Sequence, residues 1–298
     1  MSTLEKKVED NYEGLTIRQF LKEELELSSR LIRSASKEER VLVNNIPVRM
    51  RNILHTGDEV AVKLQRKESQ NIIPEKMDIN IIYEDSEILV VNKQPNIVVH
   101  PNSTYTTGTL ANGVLYYFQE SKQNCIVRLV SRLDMDTSGL IIIAKNQFAH
   151  MALSKQMEKN ELEKWYLAIV HGHLEEKEGT IDEPIYRNED GDIVRRVVDE
   201  RGQRSITHYK VLESFDGGDL VECKLETGRT HQIRVHLNHL GHPIYGDTLY
   251  GHGEEEKGLI ERQALHAYGL DFMSPKTKEI LSLRSELPED MKNLLEKI

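Results

Sequence analysis

A chain of 298 residues is longer than one ordinary hydrophobic core needs and points to two domains. Its 39 Lys and Arg against 49 Asp and Glu leave a net charge of −10, which excludes a polyanion-attracting field over the whole surface and confines any nucleic-acid contact to a local patch. The two cysteines, Cys125 and Cys223, lack CxxC spacing and argue against a disulfide framework and a thiolate metal site; the most apolar stretch, LIIIA at 140–144, is too short to span a bilayer. A cytoplasmic protein without membrane contact is the expectation.

The first segment, 1–13, alternates charges without an apolar run and reads as an N-terminal tail. From Gly14 to Lys67, eleven Lys or Arg face seven Asp or Glu, a local positive excess in an acidic chain. Within it, Ile17, Phe20, Leu21 and Leu25 fall at helical spacing, and SSRLIRSASK continues with Ser28 or Ser29 as N-cap. RVLVNNIPV then reads as strand, Asn-Asn turn and strand, and HTGDEVAVKL ends on alternating valines. Residues 14–67 therefore form a small α/β domain and polar residues 68–76 a linker. From 77 to 298, strand patterns (INIIYE, EILVVNK, GLIIIAK, KWYLAIVHG, THYKVLE, LVECKLE) outnumber helices able to serve as crossovers, which predicts an α+β domain with a mixed, mainly antiparallel sheet.

Three stretches could carry chemistry. In RLDMDTSGLIIIA, Asp134 and Asp136 stand in a turn feeding a buried strand, where an aspartate can simply cap the turn or be held for reaction. In KWYLAIVHG, Tyr166, Ala168 and Val170 share one strand face, and a tyrosine there is either packing or a polar tip in a pocket. In TGRTHQIRVHLNHLGHPIYGD, a helix beginning near Thr230 has an apolar line Ile233, Leu237, Leu240, ends at Gly241, and carries His231, Arg234 and Asn238 on its polar face, so Arg234 points away from the core. His231, His236, His239 and His242 have no HExxH pattern and no carboxylate at ligand spacing, so no metal site is expected.

Taken together these blocks resemble the RluA/RluD-type family of RNA pseudouridine synthases with an S4 RNA-binding domain in front. The family pattern His-Arg-Leu-Asp, two variable positions, Thr-Ser-Gly stands here as Ser131 to Gly139, joined by NK at 92–93, VVHP at 98–101, KWYLAIVHG, TGRTHQIRVHL, GHPIYGD, LYG and LHA at 265–267. Ser131, Met135, Gln94 and Asn96 depart from the commonest residues, the last two from NKPAG. The resemblance implies a pseudouridine-synthase catalytic domain behind an S4-like domain, isomerisation of uridines in structured RNA with ribosomal ahead of transfer RNA, no cofactor, and a monomer without an obligate protein partner. It implies Asp134 as catalytic aspartate, Tyr166 as active-site tyrosine and Arg234 as the aspartate's partner, leaving Asp136 at a variable position.

The carboxylate must attack the sugar or remove one of its protons, and a guanidinium nearby favours its charged form. Arg30, Arg33, Lys37 and Arg40 of the S4-like segment are expected phosphate contacts, and Arg132, Arg229 and His231 are expected RNA contacts. Arg187, Arg195, Arg196, Arg201 and Arg204 cluster in a hairpin that could grip an RNA stem. Two other functions compete. A non-catalytic RNA-binding or ribosome-assembly factor would not need Asp134, Tyr166 and Arg234 together. A glycosidase would need two carboxylates flanking a sugar, which Asp134 and Asp136, two apart on one chain, are poorly placed to do.

Overall fold

The protein is described by a computed structural model covering residues 3–64, 70–187 and 195–298. Its N-terminal unit contains β1 (Thr3–Lys7), α1 (Ile17–Glu23), α2 (Ser29–Lys37), β2 (Val41–Val43), β3 (Ile46–Pro47) and β4 (Glu59–Lys63), the strands forming one sheet in the order β1-β4-β2-β3. The helices start where local hydrogen bonding dictates: the Thr16 hydroxyl accepts from Gln19 N at 3.3 Å, and the Ser28 hydroxyl from Leu31 N at 3.2 Å. Both central residues of the β2–β3 turn, Asn44 (φ 51°) and Asn45 (φ 66°), are left-handed, which asparagine tolerates best among residues with a side chain. Phe20, Leu21, Leu31, Ile32 and Ala35 close the core from the helix side.

Of the segment expected as a tail, 1–13, residues 1–2 lie outside the described residues and 3–13 belong to this unit: β1 pairs antiparallel with β4 and Val8 is buried in the core. The strand TLEKK is an edge strand, where charges are favoured, and so its sequence looks like a solvated tail. Of the expected linker 68–76, residues 68–69 lie outside the described residues. The remainder is docked: the Gln70 amide exchanges two hydrogen bonds with the Val127 backbone, Ile72 is buried, and Ile73 O accepts from Asn112.

The C-terminal unit contains β5 (Asn80–Glu84), β6 (Ile88–Lys93), α3 (Leu110–Glu120), β7 (Arg128–Leu129), β8 (Ser138–Ala144), α4 (Gln147–Glu158), β9 (Glu163–His171), β10 (Glu178–Asp182), β11 (Ile185–Arg187), β12 (Arg196–Val198), β13 (Ile206–Ser214), β14 (Gly218–Leu225), α5 (Gln232–His239), β15 (Leu265–Met273), β16 (Ile280–Arg284) and α6 (Glu289–Leu295). Its main sheet runs β10-β13-β14-β9-β15-β8-β6-β5, with β16 on β15 and β7 on β8, while β11 and β12 form a separate ribbon. The β15–β8 pairing is parallel, which brings His266 and Ala267 opposite Ser138 and Gly139. The other named strand pairs of this sheet are antiparallel, in line with the expected α+β class.

All seven residues of β8 are buried because the strand is covered on both faces: Ile141 and Ile143 pack toward α3, and Leu140, Ile142 and Ala144 toward α4. A third core lies under α5 and α6 against β9, β14 and β15. Helix α3 carries Asn112-Gly113, ordinarily a turn signal. Here Asn112 Oδ1 accepts from Thr109 N at 3.0 Å, and a Cβ on Gly113 would lie 2.9 Å from Met77 Cβ, so a close approach selects the glycine. Helix α4 joins the two units: Phe148 is buried in the N-terminal core, and Lys155 pairs with Glu26 at 2.9 Å.

Candidate active site

Asp134 lies in the loop between β7 and β8, and that loop is held by buried groups from both flanks. Lys93, 1% exposed at the end of β6, donates to Gln94 O, Ile97 O and Met135 O at 2.8, 3.0 and 2.7 Å. Burial pulls its pKa down to about 7, opposed by Asp136, and three carbonyl acceptors match the three protons of an ammonium. From the other flank, the buried Arg262 guanidinium donates to Asp136 O at 3.2 Å and is clamped by Asp290 at 2.7 and 3.0 Å, so α6 supports the loop. Gln263 donates to Thr137 Oγ1, and Ser138 Oγ pairs with His266 Nδ1 at 2.8 Å. Gly139 has φ 119°, and a Cβ there would lie 2.2 Å from Ala267 O. These contacts explain the sequence blocks NK, TSG and LHA as parts of one scaffold. Met135 contributes its carbonyl, which any residue has, and Asn96 at φ 61° takes the left-handed geometry a glycine would.

The expected partner of Asp134 is in place, in a setting the sequence did not suggest. Arg234 Nη1 lies 3.3 Å from Asp134 Oδ2, yet Arg234 is buried rather than on a solvated helix face. Its Nε and Nη2 are occupied by Asp247 at 2.7 and 2.8 Å, and its guanidinium stands 5.1 Å from the Tyr250 ring centroid. Asp247 is fully buried, and its Oδ1 also accepts from Leu249 N and Tyr250 N at 2.9 and 3.0 Å. A bidentate carboxylate thus fixes the guanidinium plane and leaves one edge for Asp134. Burial works against the charge on Arg234, but the Asp247 hydrogen bonds and both carboxylates outweigh it and raise its pKa. Asp247 sits at the end of GHPIYGD, a block noticed without a role assigned; its partner, thirteen residues earlier, could not be read from spacing.

His231 caps α5 with φ 60°, donates to or accepts from Tyr250 OH at 2.9 Å through Nδ1, and places Nε2 3.9 Å from Asp134 Oδ2. Burial lowers its pKa while Asp134 opposes. Tyr166, 8% exposed, projects from β9 into a cavity of about 760 Å³ lined also by Asp134, Arg132, Arg229 and the 98–102 loop. Burial, and then the charge of Asp134, push its phenol well above the ordinary tyrosine range, so it stays protonated. Arg187, Arg196, Arg201 and Arg229 line an adjoining groove of about 430 Å³, which meets the cavity at Gly228, Arg229 and Thr230. Arg195 and Arg196 border a further groove on the outer side of α5. The tip of the arginine-rich hairpin, 188–194, lies outside the described residues.

Some of the expected RNA contacts have other tasks. Arg40 is 8% exposed and donates to Lys63 O at 2.6 Å, to Glu38 at 3.1 Å and to Ser34 at 3.1 Å, which makes it a structural tie between α2 and β4. Arg204 is paired with Asp182 at 2.8 Å. Arg30, Arg33 and Lys37 are exposed along α2. Among the histidines, His236 is fully buried between Thr207 and Glu183 O, and His242 faces His171 O. Leu240, expected in the apolar line of α5, is 37% exposed.

The fold and this ion-paired aspartate loop are those of an enzyme class that comparison with known proteins specifies. The RNA pseudouridylate synthase family profile matches residues 87–239, and the profile of the RluD ribosomal pseudouridine synthase N-terminal domain matches 4–60. An RNA pseudouridine synthase of Bacillus subtilis, YhcT, is 42% identical over 98% of this chain and 96% of its own. The ribosomal large subunit pseudouridine synthase D of Neisseria meningitidis serogroup A is 38% identical over 87% of this chain and 72% of its own. Among solved structures, human RNA Pseudouridylate Synthase Domain Containing 1 superposes with a TM-score of 0.59 at 30% identity, over 70% of this chain and 83% of that one. The chain belongs to the RluA/RluD family of RNA pseudouridine synthases and is an enzyme that isomerises uridine in RNA to pseudouridine.

Among the described residues, no helix is long and apolar enough to cross a membrane.

Proposed function

We propose that Asp134 is the catalytic carboxylate of this synthase, that Arg234 holds and charge-balances it, that Tyr166 faces the detached base, and that the substrate is large-subunit ribosomal RNA. The observation that carries the reading is the Asp134–Arg234–Asp247 array, whose Asp134 lines a cavity fed by an arginine-lined groove. The relatives named for the large ribosomal subunit support the substrate class.

The reaction breaks N1–C1′ of uridine, turns the uracil, and joins C5 to C1′; the C5 proton leaves and N1 regains one, with no net oxidation or hydrolysis. Asp134 acts on the sugar, where a carboxylate can attack C1′ or take a neighbouring proton. Arg234 stabilises its negative charge at 3.3 Å, but shares its own charge with Asp247, so the carboxylate is balanced without being locked in a tight bidentate pair. Tyr166, kept as a neutral phenol, offers a ring for stacking and a hydroxyl donor to the base. The uridine must be flipped into this cavity, because neither edge of its glycosidic bond is accessible within a stack. Arg132 and Arg229 at the mouth, Arg196 in the groove, Arg195 beyond α5 and the α2 cations Arg30, Arg33 and Lys37 supply phosphate contacts. The two free cysteines suit the reducing cytoplasm.

The test is Asp134→Asn, which preserves shape and removes the charge. Pseudouridine mapping of large-subunit RNA treated with each protein should show sites with the wild type and none with the variant, while RNA binding persists. Turnover by the variant would refute the assignment, and sites confined to transfer RNA would refute the substrate class.

A further inference from the structure

Three lysines are buried among the described residues, and two have evident partners: Lys93 with its three carbonyls, and Lys145 with the Glu84 carboxylate and Asp85 O. The third, Lys164, is 9% exposed, and no hydrogen bond or ion pair reaches its Nζ among the described residues. It is the second residue of β9, flanked by Leu225 of β14 and Leu270 of β15. Standing two residues before Tyr166, it shares the strand face that looks into the cavity, whose wall it forms with Asp134 and Arg229. Its Nζ lies against Gly228: a Cβ there would come within 3.4 Å of it. Burial alone lowers its pKa, with no anion acting on it.

A buried ammonium without a counter-ion is costly, and an anionic ligand in the cavity would offset that cost. RNA carries one kind of full anion, the phosphate. The base carbonyls are weaker acceptors, and the base belongs on the Tyr166 side. Gly228 keeps the wall low where Nζ emerges, and the loop that follows carries Arg229 at the junction of cavity and groove.

On the reading that this cavity receives the uridine, we propose that Lys164 binds the phosphate flanking the flipped nucleotide, anchoring its backbone while the base turns. The ammonium is thereby a substrate-binding group of the reaction site, distinct from the exposed cations that hold RNA at a distance from it.

The experiment uses the full chain, with Lys164→Met, Lys164→Arg and Asp134→Asn, on large-subunit RNA transcribed in vitro whose sites have been mapped with the wild-type enzyme. Lys164→Met should lower kcat/KM about 10- to 100-fold, flatten the salt dependence by about one phosphate contact, and leave the thermal midpoint equal or higher because an unpaired buried charge is gone. Lys164→Arg should recover a substantial part of the loss. A methylphosphonate beside the target uridine in a synthetic stem-loop should weaken the wild type and have little further effect on Lys164→Met. An unchanged kcat/KM and salt slope, additive losses with the methylphosphonate, or a markedly lowered thermal midpoint would overturn the phosphate role. Asp134→Asn separates the two layers: turnover by that variant overturns the site itself, whereas inactivity there beside an unaltered Lys164→Met overturns only the phosphate anchor.

Discussion

Replacing Asp247 with asparagine tests the support of the site without touching Asp134. Asp247 is fully buried and receives two charge-assisted hydrogen bonds from Arg234, at 2.7 and 2.8 Å, plus the Leu249 and Tyr250 amides. Asparagine can keep one oxygen on the backbone amides, but its NH₂ then meets an Arg234 N–H, donor against donor. Removing one member of a buried pair costs about 3–5 kcal/mol. Part of this is recovered because Arg234 can lean toward Asp134, whose side chain is 29% exposed. We therefore expect a loss of about 2–4 kcal/mol, a fall of roughly 5–10 °C in thermal midpoint for a chain of this size. The lean also draws the carboxylate from its working position, and a displacement near 1 Å costs about 10²-fold in rate. Denaturation and single-turnover kinetics at saturating RNA measure the two effects separately. A variant within about 0.5 kcal/mol of wild type, turning over at the normal rate, would show that Asp247 does not set the Arg234 geometry.

Two further outcomes follow from individual environments. Burial, reinforced by Arg262, brings His266 down to about 4, below the ordinary value near 6.5. Because its folded pKa is depressed, the unfolded chain binds more protons between these values, so its contribution is present above pH 6.5 and is lost as pH falls toward 4, by about 3 kcal/mol at most. Urea midpoints across that range should flatten in His266→Gln, and an unaltered slope would refute the argument. On α2, Arg40→Ala should cost about 1–3 kcal/mol by leaving Lys63 O without its donor, whereas Arg30→Ala should leave stability within about 0.5 kcal/mol and reduce the salt slope of RNA binding by about one contact. Equal effects of the two in both assays would refute the distinction between tie and contact.

What the sequence could show depended on how local each cause was. The Ser28 cap, the Asn44-Asn45 turn and the doubly buried strand behind Asp134 are written within a few neighbouring residues, and each is found where the pattern placed it. The edge strand β1 was hidden because half its residues face water and carry charge, and α3 because its glycine answers to Met77, more than thirty residues earlier in the chain. The Asp134–Arg234 pairing rested on resemblance, since a hundred residues separate the two. Nothing in spacing distinguishes Arg40 from Arg30, or marks Asp247 as a bidentate partner. Burial decides both, and burial is a property of the assembled fold.

The same distinction explains how an acidic protein works on RNA. Arg40, Arg234, Arg262, Lys93 and Lys145 are buried against their own carboxylates and carbonyls, so they tie elements together and add little to the outer field. With a net charge of −10, most of the surface repels a polyanion. The α2 face presents Arg30, Arg33 and Lys37 at the surface, and Arg196 and Arg229 line the groove that adjoins the Asp134 cavity. Repulsion elsewhere and attraction there act together: they disfavour unproductive complexes more than the productive one, so discrimination begins before any base is read. Inside the cavity the order reverses on the proposed assignment, in which Asp134 meets the sugar of an anionic strand. The Arg234 guanidinium offsets its charge, and the Lys164 ammonium in the same wall gives the adjacent phosphate a reason to stay.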